Sequence, residues 1–289
     1  MVQGLLNGLI DIHVHSAPSL FPRNVDDFSL AEAALAAGMK RVVIKAHEGD
    51  SSCRAFLVNQ RLCSEILVGA IVLNSYVGGL NASAVDCAVR MGARVVWMPT
   101  ITAANHVRHY GGTGYPQMRC STGVNPSRGE TVLTEHGDIK PEVFEVLEIV
   151  RDNGICLATG HLAPEESVLL IKEALRMGLK RIILNHPEAE VTKVDVETQK
   201  DLANKGAYIE KAYLWTQGTW RSSSVEALAQ TVKEIGVGSC VLSSDLGNLT
   251  SSRPVEGFAE YVKELMNVGM RRQDVLVMAR DNPAWLLGL

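Results

Sequence analysis

The residues best suited to chemistry in this chain are histidines and carboxylates that end apolar runs. Asp11-Ile-His13-Val-His15 follows an apolar opening, His161 closes ICLATGH, His186 closes RIILNH and Asp245 closes VLSSD. Side chains alternate along a strand, so His13 and His15 project to one side, as two ligands of one cation must. A lone His-x-His pair, or one histidine at a strand end, is more often a satisfied structural feature than a ligand. The set matters here: imidazoles and a carboxylate at the ends of several strands suit a borderline cation such as Zn²⁺, with a position left open for water. The expected cofactor is a divalent metal, zinc first, with Mn²⁺, Fe²⁺ and Ni²⁺ as alternatives. The expected chemistry is hydrolysis by activated water.

Such a set converges only if the strands share one end. A repeated phrase supplies the framework: an amphipathic helix ends in Gly and is followed by a β-branched run, as in AALAAGMKRVVI, CAVRMGARVVW, EIVRDNGICLA, EALRMGLKRIIL, DLANKGAYIE and KEIGVGSCVL. Glycine suits the left-handed residue that closes a helix, and continuous apolar runs suit parallel strands covered on both faces. With GLIDIHV and ILVGAIVLN, strands are predicted near 8–14, 41–46, 67–73, 94–98, 155–160, 181–185, 207–211 and 239–244. Eight strands alternating with helices predict an α/β chain folded as a (β/α)₈ TIM barrel, with a doubly wound open sheet as the structural alternative. Ser29-Leu-Ala-Glu32 has capping-box spacing and predicts a helix start. One interval, about 100–140, is long and rich in Gly, Thr, Asn, Arg and His. It follows the fourth strand, so it is expected to lie over the carboxyl face, where this fold carries its sites. The whole of 1–289 reads as one domain.

Composition sets limits on partners. Of 289 residues, 46% are hydrophobic and 21% charged, which describes a folded chain, and a net charge of −4 without a basic run gives no footprint for nucleic acid. The start, MVQGLLNGLIDIHVH, has no basic segment and too short an apolar one for a signal or membrane span, so a cytoplasmic protein is expected, with room for homo-oligomers. Six cysteines without a CxxC pair are expected to be reduced and mostly buried.

Taken in order, HVH at 13–15, GH at 160–161, NHP at 185–187, SSD at 243–245 and the closing NPAWLLGL resemble the amidohydrolase superfamily of metal-dependent hydrolases over nearly the whole chain. The resemblance implies a barrel in which His13, His15, His161 and Asp245 hold a metal, while His186 binds a second metal or orients water and substrate. Two departures qualify it. Dinuclear members usually carry a bridging carboxylated Lys or Glu at the fourth strand, where this chain reads ARVVWMPT. One metal is therefore expected, with Lys45, His47, Glu48 and Glu210 as substitute bridges if there are two. Nor is a flanking β-sandwich apparent, so the chain resembles the compact barrel-only members, which include hydrolases of esters, lactones and amides as well as decarboxylases of aromatic acids.

In the hydrolytic reading Asp245 is the general base that later returns its proton to the leaving group, and His186 helps to polarise the carbonyl. Asp11 is either a partner that fixes a ligand histidine or a structural residue. The cations in the loops, namely Arg23, Arg108, Arg119 and Arg128 with His106 and His109 beside them, point to a small carboxylate-bearing substrate, because Arg forms paired hydrogen bonds to planar oxyanions. Arg23 is the preferred contact, and Lys45 and His47, which share a face after the second strand, join it as substrate-binding candidates. The alternatives are a metal-dependent decarboxylase or hydro-lyase on the same scaffold, and a catalytically silent barrel that binds a metal or metabolite. A phosphoesterase that opens with HxH would need a closing DxH after the last strand, and there is none.

Overall fold

The computed structural model describes residues 4–118 and 129–289. Among these, the strands are β1 (Ile10–Val14), β2 (Arg41–Ile44), β3 in two segments (Leu67–Val68 and Ala70–Val72), β4 (Val95–Trp97), β5 (Cys156–Ala158), β6 (Ile182–Leu184), β7 (Tyr208–Ala212) and β8 (Cys240–Ser243). Each pairs in parallel with the next, as the apolar runs predict. The split in β3 falls at Gly69, where a Cβ would collide with the backbone of Ser52, so only glycine lets the start of helix α2 (Ser52–Leu62) approach this closely.

The eighth strand returns to the first. Val14 bridges Leu246 in parallel, His15 N–H donates to Leu246 O at 2.9 Å, and Asp245 N–H donates to His13 O at 2.9 Å. These bonds close the ring, and they exclude the open doubly wound sheet. They also lay the His13–His15 segment against Asp245, although more than two hundred residues separate them in sequence.

Apolar side chains fill two layers. Ile10, Ile12, Val43, Val95, Trp97, Ile183 and Val241 pack inside the barrel, and a larger cluster lies between strands and helices. A register shift in β1 between Asp11 and Val14 breaks strict alternation, so Ile12 belongs to the barrel interior while the next residue, His13, still joins the site above it.

Two local expectations are corrected. Helix α1 (Asp27–Ala36) is capped by Asp26, whose carboxylate accepts from Ser29 N–H at 2.7 Å, so Ser29 lies within the helix and starts no capping box. Cys53, Cys63 and Cys87 are exposed on or beside α2 and α3 (Ala82–Arg90), whereas Cys156 and Cys240 are buried strand residues. All five are free, and Cys120 lies outside the described residues. The interval after β4 holds helix α4 (Ala104–Tyr110), tied down where Ala104 N–H donates to Glu130 O, before α5 (Pro141–Asp152) resumes the outer ring. No helix among the described residues is long and apolar enough to cross a membrane.

Gly160 shows how tightly the carboxyl face of the barrel is packed. It has φ +62°, and a Cβ there would overlap the carbonyl oxygens of Met98 and Pro99. The left-handed backbone alone costs an L-residue ~1–2 kcal/mol, and the overlap adds to it. Gly160→Ala is expected to lower the melting temperature by at least about 2 °C and to displace the adjacent His161. A thermal melt that coincides with the parent's would refute this packing.

Candidate metal centre

At the carboxyl ends of β1 and β8, His13 Nε2 lies 2.9 Å and His15 Nε2 3.1 Å from Asp245 Oδ1. All three residues are buried, and one ligand atom from each lies within 4.8 Å of the others. The partners of the two rings decide what these contacts mean. His13 Nδ1 is 2.7 Å from the Glu210 carboxylate and His15 Nδ1 is 2.8 Å from the Lys45 carbonyl oxygen. Carboxylates and carbonyls only accept, so both Nδ1 atoms carry the hydrogen and both Nε2 atoms present a lone pair. With both rings neutral, three acceptors face one another at hydrogen-bond distance, an arrangement that a divalent cation among them would satisfy. The cluster can coordinate a divalent metal.

Glu210, on β7, is buried and fully engaged: Oε1 accepts from His13 Nδ1 and from Ser243 Oγ at 2.8 Å, while Oε2 accepts from Asn185 Nδ2 and His186 N, both at 2.9 Å. Burial works against its charge, but His13 outweighs burial and draws its pKa down to about 2. It is therefore an orienting partner of His13 and has no oxygen left to bridge two metals. Asp245 is also pulled well below the ordinary carboxylate range, since His13 and His15 outweigh its burial. His13 rises above its usual value because Asp245 and Glu210 together overcome burial, whereas burial, with Arg23 adding to it, drives His15 far down. Lys45 Nζ donates to His13 Nε2 at 3.0 Å and sits 4.6 Å from the centre of the Trp97 ring; burial lowers its pKa to about 8.

His161 and His186 stand across from this triad. Their rings are 5.3 Å apart, and His186 is 5.9 Å from His13, so neither belongs to the tight three-residue cluster. His186 Nδ1 is 3.0 Å from Thr192 Oγ1, whose own hydroxyl donates to His186 O, so this ring too has a bare Nε2. That atom is buried and has no partner among the described residues. Burial pushes His186 down to about 4 and His161 well below the ordinary histidine value. His186, at φ 20°, and Asp245, at φ 54°, are two of the three described non-glycine residues with positive φ, and such strained backbone concentrates at functional sites.

Above the His13, His15 and Asp245 cluster lies a small cavity of about 20 Å³ lined by His15, Arg23, Lys45, His47, His161 and Asp245, with Tyr115, Met118, Leu214, Trp215 and Trp220 forming its apolar walls. Trp215 Nε1 donates to Asp245 Oδ2 at 3.1 Å. Arg23 is held by Ser19 Oγ at 3.2 Å and contacts no carboxylate among the described residues; burial of its guanidinium lowers its pKa to about 10. His47 is buried with Nδ1 2.9 Å from Thr100 Oγ1. Glu48 lies outside this lining and pairs with Arg54 at 3.2 Å. Arg108 donates to Asn105, His109 packs on Tyr110, and neither lines the cavity. His106 is no loop cation: it is buried behind His161, and burial lowers it to about 3. Arg119 and Arg128 lie outside the described residues. Asp11 accepts from the backbone N–H groups of His13 and Ser244, so it fixes the two strand ends and touches neither ligand ring; burial raises its pKa to about 7. Trp215 and Thr192 carried no sequence signal beyond their position after strand ends.

The barrel is that of known amidohydrolases. An amidohydrolase from Pseudomonas aeruginosa superposes with a TM-score of 0.67 at 11% identity, over 98% of this chain and 96% of the other. The organophosphorus hydrolase from Deinococcus radiodurans superposes with a TM-score of 0.58 at 14% identity, over 99% of this chain and 94% of the other. Likeness at such identity establishes the fold. No curated protein matches the chain in sequence. A family model matches residues 8–210, from β1 to Glu210, and so takes in His13, His15, His161 and His186 while Asp245 lies beyond its end. Through that match, which spans most of its length, the chain belongs to DUF6282, described as a family of unknown function.

Proposed function

We propose that the chain is a metal-dependent hydrolase that cleaves a C–O or C–N bond of a small carboxylate-bearing molecule at a single divalent cation. The observation that carries this reading is the buried cluster in which His13 Nε2 and His15 Nε2 lie 2.9 and 3.1 Å from Asp245 Oδ1 and one ligand atom of each residue is within 4.8 Å of the others. His161, on the wall of the same cavity, is the remaining ligand in this reading, and His186, with its unpartnered Nε2 and its ring centre 5.9 Å from that of His13, binds or polarises what occupies the centre. Zinc fits a set of imidazoles and one carboxylate best, and Mn²⁺, Fe²⁺ and Ni²⁺ take the same donors. One cation is favoured because Trp97 stands on β4 where a bridging acid would be needed, and Glu210 is fully occupied. A bound divalent cation supplies Lewis acidity and brings the pKa of water from 15.7 to roughly 7.

The chain's own groups do the rest. Asp245 Oδ2, with one lone pair taken by Trp215 Nε1, is the oxygen that receives a proton from water and returns it to the leaving group. His186 Nε2 interacts with the oxygen on which charge develops. Arg23 lies on the cavity wall without an anion and takes the substrate carboxylate, with Lys45 and His47 contributing positive charge and hydrogen bonding nearby. Trp215, Trp220, Tyr115 and Met118 exclude water and limit the substrate to a small body.

The test is a screen of lactones, amides and esters, with and without a carboxylate, against protein of measured metal content. About one metal per chain is expected, activity should vanish with chelator and return with zinc, and Asp245→Asn should cut kcat by about 10³-fold or more. Release of CO₂ from a carboxylate substrate without bond hydrolysis would overturn the hydrolase reading in favour of a decarboxylase. Arg23→Ala should raise KM for carboxylate substrates by about 10–100-fold, equivalent to the ~1.5–3 kcal/mol of a charge-assisted bond, and leave uncharged analogues nearly unchanged; an equal effect on both would remove Arg23 from substrate recognition. Glu210→Gln should weaken zinc binding by about 10–100-fold, measured by chelator competition. Unchanged affinity would mean that Glu210 does not orient His13.

A further inference from the structure

The first three ligand candidates draw their orienting partners from the barrel and its short loops: His13 from Glu210, His15 from Lys45 O and His186 from Thr192. His161 differs. Its Nδ1 lies 2.9 Å from Nδ1 of His106, on α4 in the long interval after β4, and the two rings are stacked at 19° with centroids 5.0 Å apart. Two imidazoles joined nitrogen to nitrogen share one proton, and the surroundings decide which ring owns it. His106 Nε2 is 3.1 Å from Gly114 O, an acceptor only, so Nε2 carries the hydrogen of the His106 ring. No carboxylate among the described residues contacts either ring, and both are buried, so both are neutral. His106 Nδ1 is then a bare acceptor and His161 Nδ1 must be the donor.

We propose that His106 is a positioning residue: through the chain Gly114 O, His106, His161 it holds His161 in the tautomer whose Nε2, on the opposite edge of the ring, presents its lone pair to the cavity. The neighbouring residue reinforces the grip, because Asn105 Nδ2 donates to His161 O at 3.2 Å and to Val191 O at 2.5 Å, next to the Thr192 that holds His186. The same interval carries Tyr115 into the cavity wall. One insertion therefore sets a metal-facing imidazole and shapes the substrate pocket, and disturbing either end of it reaches the other.

The proposal rests on His161 as a ligand, and the experiment separates the two. Imidazole ¹⁵N shifts of metal-free protein report the tautomer without any metal: His161 is expected to be protonated on Nδ1. His106→Phe keeps a ring of similar volume and removes the acceptor, whereas His106→Asn restores one near the Nδ1 position; both lose the bond to Gly114, so their difference isolates the contact with His161. In His106→Phe the His161 proton should move to Nε2, and zinc affinity by chelator competition should fall by about 10–100-fold, while His106→Asn stays within about threefold of the parent. A parent His161 protonated on Nε2, or His106→Phe with parental zinc affinity, overturns the proposal. His161→Ala with parental zinc affinity would sink the ligand assignment alone and leave the tautomer measurement standing. If His106→Phe does not fold, the parent spectrum and His106→Asn still decide.

Discussion

The site is organised by the convergence of two imidazoles and a carboxylate on one buried position. His13, His15 and Asp245 point lone pairs at a common position, and each is prevented from turning or from donating by a partner that only accepts or by a packed ring. Lys45 brings a single ammonium to this spot, which offsets part of the repulsion, while a divalent cation would satisfy all three donors at once. Burying such a cluster is costly without a cation, and that cost is the physical reason for reading it as a metal site.

Barrel closure creates the cluster. The backbone bonds from Asp245 N to His13 O and from His15 N to Leu246 O are ordinary strand-edge hydrogen bonds, yet they join the ends of the chain's first and last strands and so assemble the ligand set. The left-handed backbone at Asp245 then turns the carboxylate inward, and Glu210 links β7 to β1, β6 and β8 by accepting from His13, His186, Asn185 and Ser243. Rigidity of this kind matters because ligand geometry a few tenths of an ångström away from ideal weakens a metal site, and the partners of the ligands hold it there.

The cavity above combines two opposite environments. Arg23 and Lys45 bring positive charge and the neutral His47 brings hydrogen bonding, whereas Trp215, Trp220, Tyr115 and Leu214 keep it apolar. In such surroundings a charge without an anion is raised in energy, and the lowered pKa values of Arg23 and Lys45 express that cost. An incoming carboxylate relieves it, which is the physical reason for reading the substrate as anionic.

From the sequence alone the strand count, the alternation with helices and the cluster residues His13, His15 and Asp245 could be read, because hydrophobic periodicity and strand-end polarity are local properties; the roles of His161 and His186 belong to the proposal. The expectation of one metal over two also came from the fourth-strand run ARVVWMPT, which holds no Lys or Glu. What required the folded chain was which atoms face which. Glu210 could be read as a substitute metal bridge until its four hydrogen bonds showed both oxygens engaged, and His106 looked like a loop cation until α4 buried it against His161. Tautomers, the capping of α1 by Asp26 in place of Ser29, and the exposure of Cys53, Cys63 and Cys87 likewise depend on neighbours distant in the chain or on the exact helix start. Residue type and spacing determine which groups can reach the centre; only tertiary packing decides which lone pair each one presents there, since that depends on the partner at the other edge of every ring.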